Sequence, residues 1–339
     1  MSALKPSIQA LAAGRLPAAD ALESAFDALM EGEADPVEIG AFLMGLAAVG
    51  ETPEVLAVGA RAMRARMTRI DAPAGAIDTC GTGGDARGTW NISTAAALVA
   101  AGAGATVAKH GNKAASSKSG SAEILEACGI NLFASKDAVE RALREAKVGF
   151  LFAQAHHGAV RHVGPARRIL GVRTVFNLLG PLSNPAGATR QLLGVFDARW
   201  LEPVAEALRD LGAERAWVVH GSDGLDELTT TGESHVAELK DGAVRVFTVT
   251  PEDAGLPRAN LDDLKGGDPQ YNAVALKALL DGEPGAYRDI VLLNAAASLV
   301  IAGLAENLAD GAAQAAASID DGRAKAALDR LVAITGADA

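Results

Sequence analysis

From Ile77 onward, short β-branched or aromatic runs alternate with alanine-rich segments of helical length, and no other feature restricts the fold as strongly. The runs are Ile77-Asp78-Thr79-Cys80, Thr106-Val107-Ala108, Gly149-Phe150-Leu151-Phe152, Ala216-Trp217-Val218-Val219 and Ala243–Phe247. Strands separated by helices join through crossovers, which predicts a central, mostly parallel sheet flanked by helices. The tail from Ala286 reads as two or three more alanine-rich helices. Before residue 75 the texture differs. Ala18, Leu22, Ala25, Phe26 and Leu29, then Ile39, Phe42, Leu43 and Leu46, recur at helical spacing with no strand pattern. Asp35-Pro36 and Thr52-Pro53 read as helix starts, a capping side chain followed by proline in the first turn. The expectation is a small helical bundle followed by a large α/β domain. The turn-rich tract Gly180–Pro185 reads as a connection back between them.

The chain has 339 residues, of which 49% are hydrophobic, enough for a substantial core and against intrinsic disorder. Its net charge of −11 argues against a general nucleic-acid binder or a protein of anionic membrane surfaces. Two cysteines, Cys80 and Cys128, cannot build a disulfide framework, which fits a reducing cytoplasm. The first residues lack the apolar core of a secretion signal. The longest apolar stretches, Thr94–Ala108 and Ile290–Ala305, are shorter than the roughly 20 residues that span a bilayer.

Charge placement says more than its total. No acid lies between Asp85 and Glu123 or between Glu145 and Asp197, while Arg87, Lys109, Lys113, Lys118, Arg161, Arg167, Arg168, Arg173 and Arg190 fall inside these windows. Chance clustering on a solvated face would look similar, but three polar loops favour an anion site. Gly81-Thr82-Gly83-Gly84-Asp85 follows a strand, and Asn91-Ile92-Ser93-Thr94 opens a helix. Glycines admit a phosphate close to the backbone, and helix-start N–H groups point at it. This is neither a nucleotide P-loop nor a GxGxxG fingerprint, and an ordinary tight turn would use the same residues. The second loop, Lys109 to Ser121, is dense in donors that can grip phosphate and ribose oxygens. The third, Asp223-Gly224-Leu225-Asp226-Glu227, offers adjacent carboxylates suited to Mg²⁺.

Taken together, Asp78–Asp85, Asn91–Thr94, Lys109–Asn112, Gly171–Pro185 and Asp223–Glu227 resemble, in order and along essentially the whole chain, the signatures of the anthranilate phosphoribosyltransferase family. The resemblance implies a fold like that of the nucleoside phosphorylases and phosphoribosyltransferases. Residues 1–72, with a returning helical segment near 165–186, would form a small helical domain that dimerises. Residues 73–164 and 187–339 would form the large α/β domain that binds phosphoribosyl diphosphate. It implies Mg²⁺-dependent transfer, with two ions, of the 5-phosphoribosyl group to anthranilate, the second step of tryptophan biosynthesis from chorismate. By position, Gly81, Gly84, Asp85, Thr89, Asn91, Ile92, Ser93, Thr94, Lys109, His110, Gly111, Asn112, Lys113, Ala114, Ala115, Ser116, Ser117 and Ser121 hold the donor. Ser93, Asp226 and Glu227 hold magnesium, and Gly81, Asn112 and Arg167 contact anthranilate. No acid or base is implied; Lys109, Asn112 and Arg167 act by positioning. Arg168 reads as a surface arginine, and Cys80 as a buried neighbour of the loop. The chain departs from the family pattern at Gln154, Gly158 and Val160, in the segment expected to line the acceptor channel. A pyrimidine nucleoside phosphorylase shares the loops but not the long Arg173–Pro185 signature. A non-enzymatic nucleic-acid-binding relative would need a basic face.

Overall fold

Asp35 and Thr52 start helices as their spacing predicts, the Asp35 carboxylate accepting from Val37 N at 2.8 Å and the Thr52 hydroxyl from Val55 N at 3.4 Å. The computed structural model describes residues 2–114 and 118–337. Its first part is four helices, α1 (Lys5–Ala12), α2 (Ala19–Glu31), α3 (Pro36–Val49) and α4 (Pro53–Ala65). Phe26, Phe42, Leu43 and Leu46 are fully buried between them, so the apolar positions read at helical spacing do form the core.

The second part is a seven-stranded sheet. Strands β1 (Ile77–Gly81), β2 (Val107–Gly111), β3 (Val148–Phe152), β4 (Arg190–Gly194), β5 (Arg215–Gly221), β6 (Ser234–Lys240) and β7 (Ala243–Val249) run in the order β3-β2-β1-β4-β5-β6-β7. The first five are parallel, and β6 and β7 are antiparallel. Helices α5 (Ile92–Gly102), α6 (Ser121–Ala127) and α7 (Lys136–Glu145) connect β1 through β3. The chain then passes through α8 (Ala153–His156), α9 (Gly164–Leu170) and α10 (Phe176–Leu179) before entering β4, and α11 (Leu201–Asp210) leads to β5. After β7 come α12 (Pro269–Leu280), α13 (Ala286–Ala302), α14 (Leu308–Asp320) and α15 (Arg323–Gly336), the last three being the alanine-rich tail.

Strands β4 and β6 lie outside the runs read from the sequence. β4 is Arg-Gln-Leu-Leu-Gly, without a β-branched residue, yet it is held on both edges by β1 and β5. β6 carries Ala, Glu, Leu and Lys, all good helix formers, and pairs along its whole length with β5 and β7. Non-local pairing overrides local preference at both places.

Strand order reverses between β1 and β4, since the chain goes from β1 outward to β3 and returns to β4 on the other side. Ligands of open α/β sheets bind at the carboxyl ends of strands at such a reversal. The returning helices α9 and α10 pack on α3 and α4, and α11 packs on α4. One apolar core therefore runs from Phe26 and Leu29 through Val175, Phe176 and Leu179 to Leu193, Val204 and Val218. Among the described residues, no helix is long and apolar enough to cross a membrane, and Cys80 and Cys128 are buried free thiols.

Candidate active site

Gly81 and Gly194 end β1 and β4 directly opposite each other. Neither position has room for a Cβ, because Asp226 lies where both would project: its carboxylate over Gly81, its backbone over Gly194. Here glycine is demanded by close approach and not by backbone conformation. The loop after β5 thereby folds across the strand-order reversal, and the Asp226 carboxylate accepts from Gly83 N at 2.7 Å. Its neighbour Glu227 accepts from Ser93 N, in the first turn of α5, at 3.1 Å. Buried Lys109, near the end of β2, sends its Nζ to Thr79 O at 2.5 Å and to Ser93 Oγ at 3.2 Å. The glycine loop, the α5 start, the second loop and the acidic pair thus meet at one sheet edge.

The electrostatics of this meeting point are unbalanced. Burial and the Asp226 charge push Glu227 up to about 8, and burial with the Asp85 charge pushes Asp226 up to about 6. Burial likewise lowers Lys109 from its ordinary value, against the pull of nearby acids. One buried ammonium faces several carboxylates, so the site carries surplus negative charge in a low dielectric. Its oxygen donors suit a hard divalent cation. Among the described residues, no group of three or more His, Cys, Asp or Glu side chains is placed to hold a metal, so the remaining ligands have to come from water or a bound anion.

The other expected site residues divide between those the network joins and those it does not. Gly84 adopts φ +79°, and its carbonyl accepts from Arg173 at 2.5 Å. The Asp85 carboxylate accepts from Arg87 N at 3.3 Å, and burial raises its pKa. Thr89 forms a bridge with Lys265, an anchor with no local sign in the chain. The Asn91 side chain does not cap α5; it donates to Ser119 O at 3.2 Å and accepts from Asn272 Nδ2 at 2.9 Å, tying the first loop to the second. Ile92 and Thr94 are buried, so their side chains face the core, and the Thr94 hydroxyl has no hydrogen-bond partner among the described residues.

In the second loop, His110 N donates to buried Asp78 at 3.0 Å, and its ring Nε2 lies 3.2 Å from Nε2 of His157. Asn184 Nδ2 donates to the other Asp78 oxygen at 2.7 Å, which locks the returning segment onto β1. The Ser121 hydroxyl occupies the place of a Gly111 Cβ and donates to Asn112 O at 3.3 Å. The Asn112 Oδ1 accepts from Lys113 N at 2.8 Å and Gln154 Nε2 at 3.4 Å, while Ala114 N donates to Glu123 at 3.0 Å. Ala115, Ser116 and Ser117 lie outside the described residues.

Arg167 is not part of this hydrogen-bonded network. It sits on α9 with its guanidinium 5.5 Å from the Phe176 ring centre, and burial lowers its pKa. Its guanidinium makes no hydrogen bond or ion pair among the described residues. Arg168 beside it is exposed. Cys80 is buried, its thiol pushed well up by burial, which removes it as a nucleophile. A cavity of about 330 Å³ lined by Cys128, Lys277, Leu280, Lys325 and Leu328 lies elsewhere, between α6, α12 and α15. Sequence reasoning missed Asp78, Asn184, Asn272 and Arg173 as supports. A lone acid in an apolar strand was the available sign for Asp78.

Two family profiles tile the chain. A helical-bundle domain of the glycosyl transferase family matches residues 5–67, and the a/b domain of that family matches residues 74–325. Fold and site together thus define a glycosyl transferase of the helical-bundle plus α/β type. The sequence is 64% identical over 332 residues to the anthranilate phosphoribosyltransferase of Maricaulis maris, covering 98% of each chain. It is 60% identical over 337 residues to that of Rhodospirillum rubrum, covering 99% of this chain and 97% of the other. The crystal structure of the Thermus thermophilus anthranilate phosphoribosyltransferase matches with a TM-score of 0.93 at 46% identity, covering 99% of this chain and all of that one. The Saccharomyces cerevisiae protein in complex with PRPP and Mg matches at 0.91 and 26% identity, covering 98% of both chains. The chain belongs to the anthranilate phosphoribosyltransferase family, as its motifs led one to expect.

Proposed function

We propose that the protein transfers the 5-phosphoribosyl group from phosphoribosyl diphosphate to anthranilate, giving N-(5-phosphoribosyl)anthranilate and pyrophosphate, the second step of tryptophan biosynthesis from chorismate. One observation carries this reading: Gly83 N, Ser93 N, Ser93 Oγ and Lys109 Nζ converge with the Asp226–Glu227 pair at the strand-order reversal. Backbone amides and an ammonium suit phosphates, and surplus carboxylates suit the cation that accompanies them. Ser93, Asp226 and Glu227 would hold Mg²⁺, with remaining ligands from the diphosphate and water. Two ions are proposed, because the two carboxylates address different backbone donors, one in the glycine loop and one at the start of α5. When bound, magnesium neutralises charge on the departing diphosphate.

The chain itself supplies position and field. The glycine loop, Asn91 to Thr94 and the Lys109–Ser121 loop hold the donor at both ends, while Arg167 pairs with the anthranilate carboxylate and Gly81 and Asn112 face its ring. The amine lone pair attacks C1 of the ribose as the C1–O bond to diphosphate breaks, with the bonding electrons leaving on diphosphate. Positive charge develops on the sugar, near the Asp226–Glu227 carboxylates. An aromatic amine is already neutral near pH 7, so the proton it sheds after attack needs no strong base. Catalysis is positioning and electrostatics. Half-buried Arg167, with its guanidinium unpaired, is the residue whose charge an aromatic carboxylate would balance.

The same reading assigns residues 1–72 and the segment near 165–186 to a helical domain, and 73–164 with 187–339 to the donor-binding domain. It joins two copies through the helical part. In support, α3 is apolar on its outer side as well. Val37, Ala41, Met44 and Ala48 recur there at helical spacing, Val37 being 79% exposed, and Ile169 on neighbouring α9 is 86% exposed. A helix apolar all round is a buried helix, and a second copy would bury this one. The two free thiols support a reducing compartment, the cytoplasm. Anthranilate fluorescence tests the reaction: it should fall only when phosphoribosyl diphosphate and Mg²⁺ are both present. Steady fluorescence with folded protein would sink the assignment.

A further inference from the structure

We propose that Arg173 is a positioning residue for the phosphoribosyl donor, setting the shape of the glycine loop from the segment that carries the acceptor-binding arginine. This rests on the transfer reaction proposed above. Arg173 follows α9 by three residues, so it shares a short stretch of chain with Arg167. Its Nη2 donates to Gly84 O, and its guanidinium lies 4.1 Å from the Phe196 ring centre. Phe196 is itself tied to the loop, its backbone N donating to the Thr82 hydroxyl at 3.0 Å. Arg173 therefore touches the loop directly and braces a neighbour that touches it again.

The loop needs such bracing. Gly83 and Gly84 both have positive φ, +66° and +79°, and glycines in succession impose little conformation of their own. Outside bonds have to select the shape. Asp226 holds the Gly83 N–H, and Arg173 holds the Gly84 carbonyl. Across a trans peptide the carbonyl and the next N–H point in opposite directions. Fixing Gly84 O on the guanidinium consequently turns the Asp85 N–H away from Arg173, free to meet a phosphate oxygen. Lysine could replace the hydrogen bond but not the flat stack on Phe196.

The test is calorimetric titration of the full-length protein with phosphoribosyl diphosphate in Mg²⁺, without acceptor, alongside steady-state kinetics. Arg173→Ala should weaken donor binding at least tenfold and raise the donor KM to match. The anthranilate KM should move less than threefold and Tm by less than about 2 °C, since the side chain is exposed. Arg173→Lys should recover part of the donor affinity. Unchanged donor affinity in Arg173→Ala overturns the inference, as does an equal rise in both KM values with a fall in Tm. The titration needs no acceptor, so it stands even if the acceptor is not anthranilate. Absence of any donor binding by the unsubstituted protein would defeat the reaction and this inference together, whereas donor binding with no anthranilate turnover would defeat only the acceptor.

Discussion

Two acidic sites flank opposite parts of this sheet, and they are built in opposite ways. At the antiparallel end, Glu238 on β6 accepts from Trp217 Nε1 at 2.9 Å and from Arg245 at 2.5 Å, with Arg215 3.6 Å away. Burial alone would raise its pKa, but these partners outweigh it and hold the carboxyl below its ordinary value. At the parallel end, Asp226 and Glu227 have backbone donors and a single buried ammonium, and both are pushed up. A carboxylate that serves the fold arrives with its cations. A pair left short of positive charge is poised for a cation from outside.

The largest effect should come from removing each site in turn. Asp226→Asn with Glu227→Gln should cost about 100-fold or more in turnover, the scale of losing a charge-stabilising group, and excess Mg²⁺ should restore part of it. Its Tm should hold or rise, because repulsion between neighbouring carboxylates is removed. Glu238→Gln should do the reverse, keeping turnover and losing about 1–2 kcal/mol of stability, a buried hydrogen bond plus ion pairs discounted for the exposed Arg245. A large activity loss in Glu238→Gln would erase the contrast. Next in size, Arg167→Ala should raise the anthranilate KM roughly 10- to 100-fold, the loss of a charge-assisted bond, with the donor KM little changed. Equal losses for both substrates would deny it the carboxylate.

The smallest effect is in pH, and there the two sites differ in sign. Glu227 is raised from 4.5 to about 8, so between those values the folded protein binds more protons than the unfolded chain. Stability without metal should therefore fall as pH rises through that window, and saturating Mg²⁺ should flatten the slope. Glu238, held low, contributes stability above its unfolded value that is lost as pH falls through its folded value. Denaturation from about pH 2.5 to 8.5, with and without Mg²⁺, checks both. A metal-independent slope would place the titration elsewhere.

Much of the fold was legible because its cues are local. Asp35 and Thr52 cap their own helices within three residues, β1, β2, β3 and β5 announce themselves by buried β-branched or aromatic runs, and β7 by a largely exposed one. β4 and β6 were not legible: Gln191 reads as a surface residue until it is seen donating to Cys80 Sγ and Pro181 O in the interior. The site was legible by kind, as glycines, donors and paired acids. Its supports were not. Asn91 and Asn272 are 181 residues apart in sequence, and Asp78 and Asn184 are 106 apart.

The amino-acid order alone determined the two textures, the helix starts and the chemistry carried by each loop, since capping, periodicity and residue type act over a few positions. Only the tertiary structure decided that Asp226 would rest on Gly81 and Gly194, that Lys109 would reach Ser93, and that Arg173 would hold Gly84. These meetings depend on strand order, which reverses between β1 and β4 and brings four distant loops to one edge. They also depend on burial, which turns two ordinary carboxylates into a site short of positive charge.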